Sequence, residues 1–146
     1  MSDKRIVIGS DHAGLVLKRT FTDALEAKGW EVTDVGPQEA ASVDYPDFAA
    51  KVCRTVLDEH ILGVLICGTG IGMSMTANRF KGIRAATCAN EFQAAMSRAH
   101  NNANVLCVGE RVTGAGAALG ILDAFLETDF EGGRHERRVD KIDTAC

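Results

Sequence analysis

Short apolar runs alternate with amphipathic stretches along all 146 residues. A chain with this pattern folds as repeated strand–helix units around a mostly parallel sheet covered on both faces. Arg5 to Gly9, Glu31 to Val35, Val64 to Cys67, Arg84 to Thr87 and Val105 to Val108 read as five strands, each short, apolar and closely followed by Gly, Ser, Asn or Asp. Gly14 to Lys28, Pro46 to Glu59, Ile71 to Asn78, Glu91 to His100 and Gly114 to Leu126 read as helices. In the first of these, Leu15, Leu17, Lys18, Phe21 and Leu25 fall at near-helical spacing and Gly29 supplies a stop signal. No linker, repeat or low-complexity segment interrupts the series, so residues 1–146 are expected to form a single domain.

The apolar share of 46% and charged share of 25% are those of an ordinary globular domain. A net charge of -4 argues against a surface that coats nucleic acid. The longest apolar run, Ile61 to Cys67, is too short to cross a bilayer, and the apolar stretch after Met1 is too brief for a signal peptide, so a cytoplasmic protein without a membrane partner is expected. Cys53, Cys67, Cys88, Cys107 and Cys146 form no C-x-x-C pair and have no His at ligand spacing, which suits a reducing compartment. Cys53, Cys88 and Cys107 read as small buried hydrophobes.

After Phe130 the composition changes. From Arg134 to Lys141, five of eight side chains are basic or can become so. As a helix beginning after Gly132-Gly133, this tail from about Glu131 places Arg134 with Arg138, and Arg137 with Lys141, one turn apart. Spacing alone leaves it open whether this is a solvated face or a binding site.

Ligands of open α/β sheets bind at the carboxyl ends of the strands. Three segments stand out: Ser10-Asp11-His12-Ala13-Gly14 after the first strand, Gly68-Thr69-Gly70-Ile71-Gly72 after the third, and His100-Asn101-Asn102-Ala103-Asn104 before the fifth. All three are expected to face one crevice. Alternating glycines between a strand and a helix let backbone N–H groups converge on an anion. The spacing fits neither the dinucleotide fingerprint nor a Walker loop. Cys67 falls where strand and glycine loop meet and reads either as a base, with the N–H groups meeting charge that develops on oxygen, or as a buried structural thiol. Asp11-His12 and His100-Asn101 each pair an imidazole with a possible orienting group. His60 and His135 read as solvated.

In chain order, Gly9-Ser-Asp-His-Ala-Gly14, Asp44-Tyr45-Pro46, Ile66-Cys-Gly-Thr-Gly-Ile-Gly72, Ala77-Asn-Arg79, Gly82-Ile-Arg84, Ser97-Arg-Ala-His-Asn101, Asn104-Val-Leu106 and Glu131-Gly-Gly-Arg-His135 resemble the type B ribose-5-phosphate isomerases. That family also includes allose- and galactose-phosphate isomerases. The resemblance spans nearly the whole chain. It implies a three-layer α/β/α Rossmann-like sandwich with a five-stranded parallel sheet, and a homodimer, in some members paired into a tetramer, with active sites between subunits.

It also implies roles. Cys67 resembles the base that moves a proton between C1 and C2, and Thr69 the hydroxyl that shuttles protons between the two sugar oxygens. Backbone N–H groups of Gly68, Gly70, Ile71, Gly72 and Met73 would cradle the enediolate. His100, with Asp11 and Tyr45, resembles the ring-opening machinery. His12, Arg111, Arg134 and Arg138 resemble the phosphate clamp, with Asn101 beside them. His100, Asn101 and Arg111 would reach the other subunit's Cys67. Another branch of the family uses a Glu near the end of the glycine loop as base. Met73 stands there and takes no proton, which leaves Cys67.

Asn102 replaces the Asp that relatives commonly carry. No metal or cofactor is implied. The expected activity is interconversion of ribose 5-phosphate and ribulose 5-phosphate. Four-carbon and six-carbon sugar phosphates, a non-catalytic module for a phosphorylated metabolite, and a flavodoxin-like carrier or phosphoacceptor domain are the alternatives.

Overall fold

The five apolar runs pair in parallel in the computed structural model, which describes residues 3–145; Cys146 of the sequence reading lies outside it. The strands are β1 (Arg5–Ser10), β2 (Glu31–Asp34), β3 (Leu62–Cys67), β4 (Ala85–Thr87) and β5 (Val105–Gly109), in the spatial order β2-β1-β3-β5-β4. The helices are α1 (Leu15–Ala27), α2 (Tyr45–Glu59), α3 (Ile71–Ala77), α4 (Glu91–Ala99), α5 (Ala115–Glu127) and α6 (Arg134–Asp140).

Alternation along each central strand makes the two cores. Ile6, Ile8, Val64, Ile66, Leu106 and Val108 point to one face and pack with Phe21 and Leu25 of α1 and Ile121 and Phe125 of α5. Val7, Leu65, Cys67, Val105 and Cys107 point to the other and pack with Val52 and Cys53 of α2 and Met73 and Ala77 of α3. Side chains of a strand alternate with period two, so helices must cover both faces, and the three-layer α/β/α arrangement follows. Cys53, Cys88 and Cys107 are buried and free. Burial pushes the Cys53 thiol up to about 12, as expected of an inert core cysteine.

Long-range partners set several boundaries. β3 begins at Leu62, two positions before the start read from the apolar run, because Leu62 pairs with Ile6 and the Gly63 N–H reaches Asn104 O at 2.9 Å. Arg84 falls outside β4 because its N–H is taken by Asn104 Oδ1 at 2.7 Å. Helix α1 has no side-chain cap of its own. Glu110 Oε1 accepts the Leu17 N–H at 2.7 Å from across the fold and serves an amide that has no partner inside the helix.

The order reverses between β1 and β3, since β1 leads outward to β2 on one side and β3 lies on the other. That switch point opens a crevice at the carboxyl ends of the two strands. Among the described residues no helix is long and apolar enough to cross a membrane.

Candidate functional site

Asp11 follows β1 and Cys67 ends β3, so both stand at the switch point, where the Asp11 N–H donates to Ile66 O at 3.1 Å. Asp11 is buried. Its Oδ1 accepts the N–H groups of Ala13 at 2.9 Å and Gly14 at 3.2 Å and caps the short 3₁₀ turn His12–Gly14.

In the glycine loop after β3, side chains of the loop's own start take two of its N–H groups. Cys67 Sγ accepts the Gly70 N–H at 3.1 Å, and Thr69 Oγ1 accepts the Ile71 N–H at 3.2 Å. Gly70 has φ +80°, and a Cβ there would lie 3.1 Å from the Val108 carbonyl carbon. Only glycine takes that conformation in that space without strain. Gly72 is needed for a different reason: a Cβ on it would lie 2.6 Å from Cε1 of the Tyr45 ring.

These groups line an open cavity of about 440 Å³ with Asp11, Tyr45, Cys67, Gly68, Thr69, Ile71, Gly72, Met75 and Arg111 on its walls. Cys67 is 5% exposed and lines this space. The Arg111 guanidinium lies over Gly68, with Nη1 3.3 Å from where a Gly68 Cβ would stand. Arg111 is thus at its own chain's Cys67, which corrects the expectation that it is delivered across an interface. It gets there because the chain turns back after β5: the Arg111 N–H binds Gly68 O at 3.0 Å.

Met73 is fully buried in the α2–α3 core, so only its backbone is near the loop. Met75 is the residue that sequence reasoning missed. It stands one helical turn from Ile71, and that i, i+4 spacing was the available signal. His12 is exposed beside Asp11, and its Nδ1 accepts the Val43 N–H at 3.2 Å.

The His100 segment is elsewhere, which corrects the expectation of a single crevice. A helix linking parallel strands runs back along the sheet, so the end of α4 lies at the amino ends of the strands. The Asn104 O to Gly63 N contact places it there. At about 3.3 Å per residue, the six residues of β3 alone keep His100 roughly 15–20 Å from Cys67 of the same chain. There His100, Asn101, His135, Arg138, Val139 and Ile142 line a second cavity of about 310 Å³. Arg134 is exposed at the start of α6, one turn before Arg138.

His135 is buried, not solvated as its basic neighbours suggest. Its ring stacks on His100 with centroids 4.2 Å apart and planes at 9°. Its Nε2 has no hydrogen-bond partner among the described residues and lies 3.4 Å from Glu131 Oε1. Glu131 Oε1 is also 3.9 Å from His100 Nε2. These three ligand atoms lie within 4.8 Å of one another. Yet the lone pairs of two stacked imidazoles run in parallel planes and do not converge on one ion as a metal site requires.

Burial first, then the neighbouring His100, holds the His135 pKa below the ordinary histidine value. A state with α6 undocked takes up the proton first, so docking is fully supported above about pH 6.5 and weakens as pH falls below it. Amide hydrogen exchange in α6 should therefore be faster at pH 5 than at pH 7.5, measured relative to α5. Equal protection of α6 at both values would contradict this.

Comparisons with known proteins agree with this fold. The chain matches the ribose/galactose isomerase family over residues 6–142. It is 44% identical over 140 residues to the ribose-5-phosphate isomerase B of Escherichia coli, covering 95% of this chain and 94% of that one. The solved structure of Clostridium thermocellum ribose-5-phosphate isomerase B superposes with TM-score 0.95 at 51% identity, over 97% of this chain and 96% of that one. That of the Mycoplasma genitalium ribose-5-phosphate isomerase B with bound ribulose-5-phosphate does so with TM-score 0.93 at 46% identity, over 97% and 95%.

Proposed function

The chain belongs to the ribose/galactose isomerase family, and on that premise we propose that it interconverts ribose 5-phosphate and ribulose 5-phosphate with Cys67 as the base. One observation carries this reading: Cys67 lines a cavity walled by the glycine loop while its Sγ accepts that loop's Gly70 N–H.

The chemistry is a proton transfer next to a carbonyl. The Cys67 thiolate takes the proton from C2 of the open-chain aldose, and the electron pair moves to form the C1–C2 double bond with negative charge on O1. In this reading backbone N–H groups of the glycine loop are donors for that charge as it develops, those of Gly70 and Ile71 being taken by Cys67 Sγ and Thr69 Oγ1 before substrate binds. Thr69 Oγ1 carries the O2 proton to O1. The thiol then returns its proton to C1, which leaves a ketone at C2. The enediolate is stabilised by amides, so the reading calls for no metal.

Cyclic substrate must first open. In this reading His100 of the partner subunit moves the proton between the anomeric hydroxyl and the ring oxygen, with Asp11 and Tyr45 facing it from the first chain. The phosphate is held by His12 and Arg111 of one chain and by the partner subunit's Arg134 and Arg138, with the partner's Asn101 beside them. A shared site in a homodimer is supported by the separation of His100 from its own Cys67. Tyr45, Ile71, Met75 and Val112, all large and apolar, are 41–65% exposed, which supports the same reading, since exposed apolar surface of this kind suits a protein–protein contact. Within this proposal residues 1–146 act as one isomerase domain in the cytoplasm, paired as dimers or as tetramers of them, with no nucleic-acid or membrane partner.

The test is kcat/KM for erythrose 4-phosphate, ribose 5-phosphate, allose 6-phosphate and galactose 6-phosphate. Ribose 5-phosphate should exceed the others by at least about tenfold, the scale on which a site rejects a chain one carbon too short or too long. A preference for a four- or six-carbon substrate would overturn the substrate assignment and leave the isomerase chemistry in place.

A further inference from the structure

Lys18 is fully buried, a rare state for a lysine. Its Nζ donates to Asp34 Oδ1 at 2.7 Å and to the carbonyl oxygen of Pro37. The same Asp34 oxygen accepts the Gly36 N–H at 2.8 Å. A methionine would fill that space without the cost of dehydrating an ammonium, so stability alone does not explain the charge. What an ammonium adds is directed bonds, one to Asp34 at the end of β2 and one to Pro37 on the segment that leaves it.

That segment has little else to hold it. Gln38 to Ser42 are exposed, so no core contact fixes their path. The Ser10 N–H holds Gly36 O at 3.2 Å at its start; beyond that its anchors are Lys18 at Pro37, the neighbouring Arg19 Nη2 at Gln38 O, 3.1 Å away, and the Val43 N–H at His12 Nδ1. An imidazole that accepts at Nδ1 carries its proton at Nε2. The Val43 contact therefore leaves the His12 Nε2–H free to donate.

We infer that Lys18 is a positioning residue for phosphate recognition: it anchors the 36–44 segment so that Val43 fixes the tautomer and direction of His12. The inference rests on the reading of His12 as part of the phosphate clamp. Lys18 touches no substrate. It acts through the loop, and its loss is felt in binding of the phosphate rather than in the proton transfer at Cys67.

The experiment compares Lys18→Met, His12→Ala and the double variant in the full-length protein. Lys18→Met should raise KM for ribose 5-phosphate by about tenfold with kcat changed less than about twofold, and in the His12→Ala background it should change KM by less than about twofold. In ¹⁵N spectra at pH 8, His12 should be the Nε2–H tautomer in the wild type and a mixture of tautomers in Lys18→Met. A full KM effect without His12, a fall confined to kcat, or an unchanged His12 tautomer overturns the inference. If Lys18→Met does not fold, Asp34→Asn keeps the Pro37 contact and should shift KM and the tautomer in the same directions by smaller amounts; no shift in either overturns it. The tautomer readout needs no turnover. A wild type inactive on ribose 5-phosphate but with the expected spectra would refute the functional reading alone.

Discussion

Cys67→Ala should abolish isomerisation of ribose 5-phosphate, lowering kcat by at least about 10³-fold, within the range a positioned general base contributes. The mutation removes one sulfur from a site that is otherwise intact. The loop loses the Gly70 N–H contact to Sγ but keeps the packing of Gly70 on Val108, and Arg111 stays anchored by its N–H to Gly68 O. Affinity for ribitol 5-phosphate, which has the phosphate and chain length but no carbonyl to isomerise, should change less than about threefold, because a group used only in the transition state contributes little to ground-state binding. Titration calorimetry with ribitol 5-phosphate and a coupled assay for ribulose 5-phosphate give the two numbers. Turnover within tenfold of wild type would remove Cys67 from the mechanism. Met73 takes no proton, and Asp11 Oδ1 is held by the amides of Ala13 and Gly14.

The parts of this site that are local in sequence were legible in it. A strand ending at Cys67 and running into alternating glycines specifies a tight turn with amides on its concave side, and the structure has that turn, with Thr69 and Cys67 both accepting loop N–H groups. The strand–helix alternation gave the layers for the same reason, since periods of two and 3.6 residues are local properties. Strand order was not readable, because the placement of β5 between β3 and β4 is decided by pairing between distant segments. His135 reads as solvated from its charged neighbours, and its burial depends on a ring from the end of α4. Lys18 sits on the apolar stripe of α1, and nothing in its own helix shows that Asp34 waits beneath it. The position of His100 was obscured for a geometric reason: a motif next to a strand in sequence can lie at either end of the sheet, and a helix that leads into a strand ends at the amino edge.

That last point gives the second large effect, on mixing two inactive proteins. Cys67→Ala lacks the base, and His100→Asn lacks the group proposed to open the ring, so each alone should be nearly silent on cyclic ribose 5-phosphate. Random assembly of the two chains makes half of the dimers mixed, and each mixed dimer has one site with both defects and one with neither. About a quarter of the wild-type number of sites should therefore be restored, as two-fold symmetry with shared sites requires. If each chain completed its own site, the mixture would show only the sum of the two residual activities. The arithmetic needs chains that exchange freely, so co-expression with two affinity tags and isolation of the doubly tagged species is the clean form of the measurement; purified mixed dimers should then reach about half of wild-type activity. His100→Asn by itself should lose far less on substrate supplied in the open-chain form, because Cys67 and its glycine loop are untouched at the opposite edge of the sheet. Doubly tagged dimers no more active than either parent would mean that Cys67 and His100 do not meet across the interface.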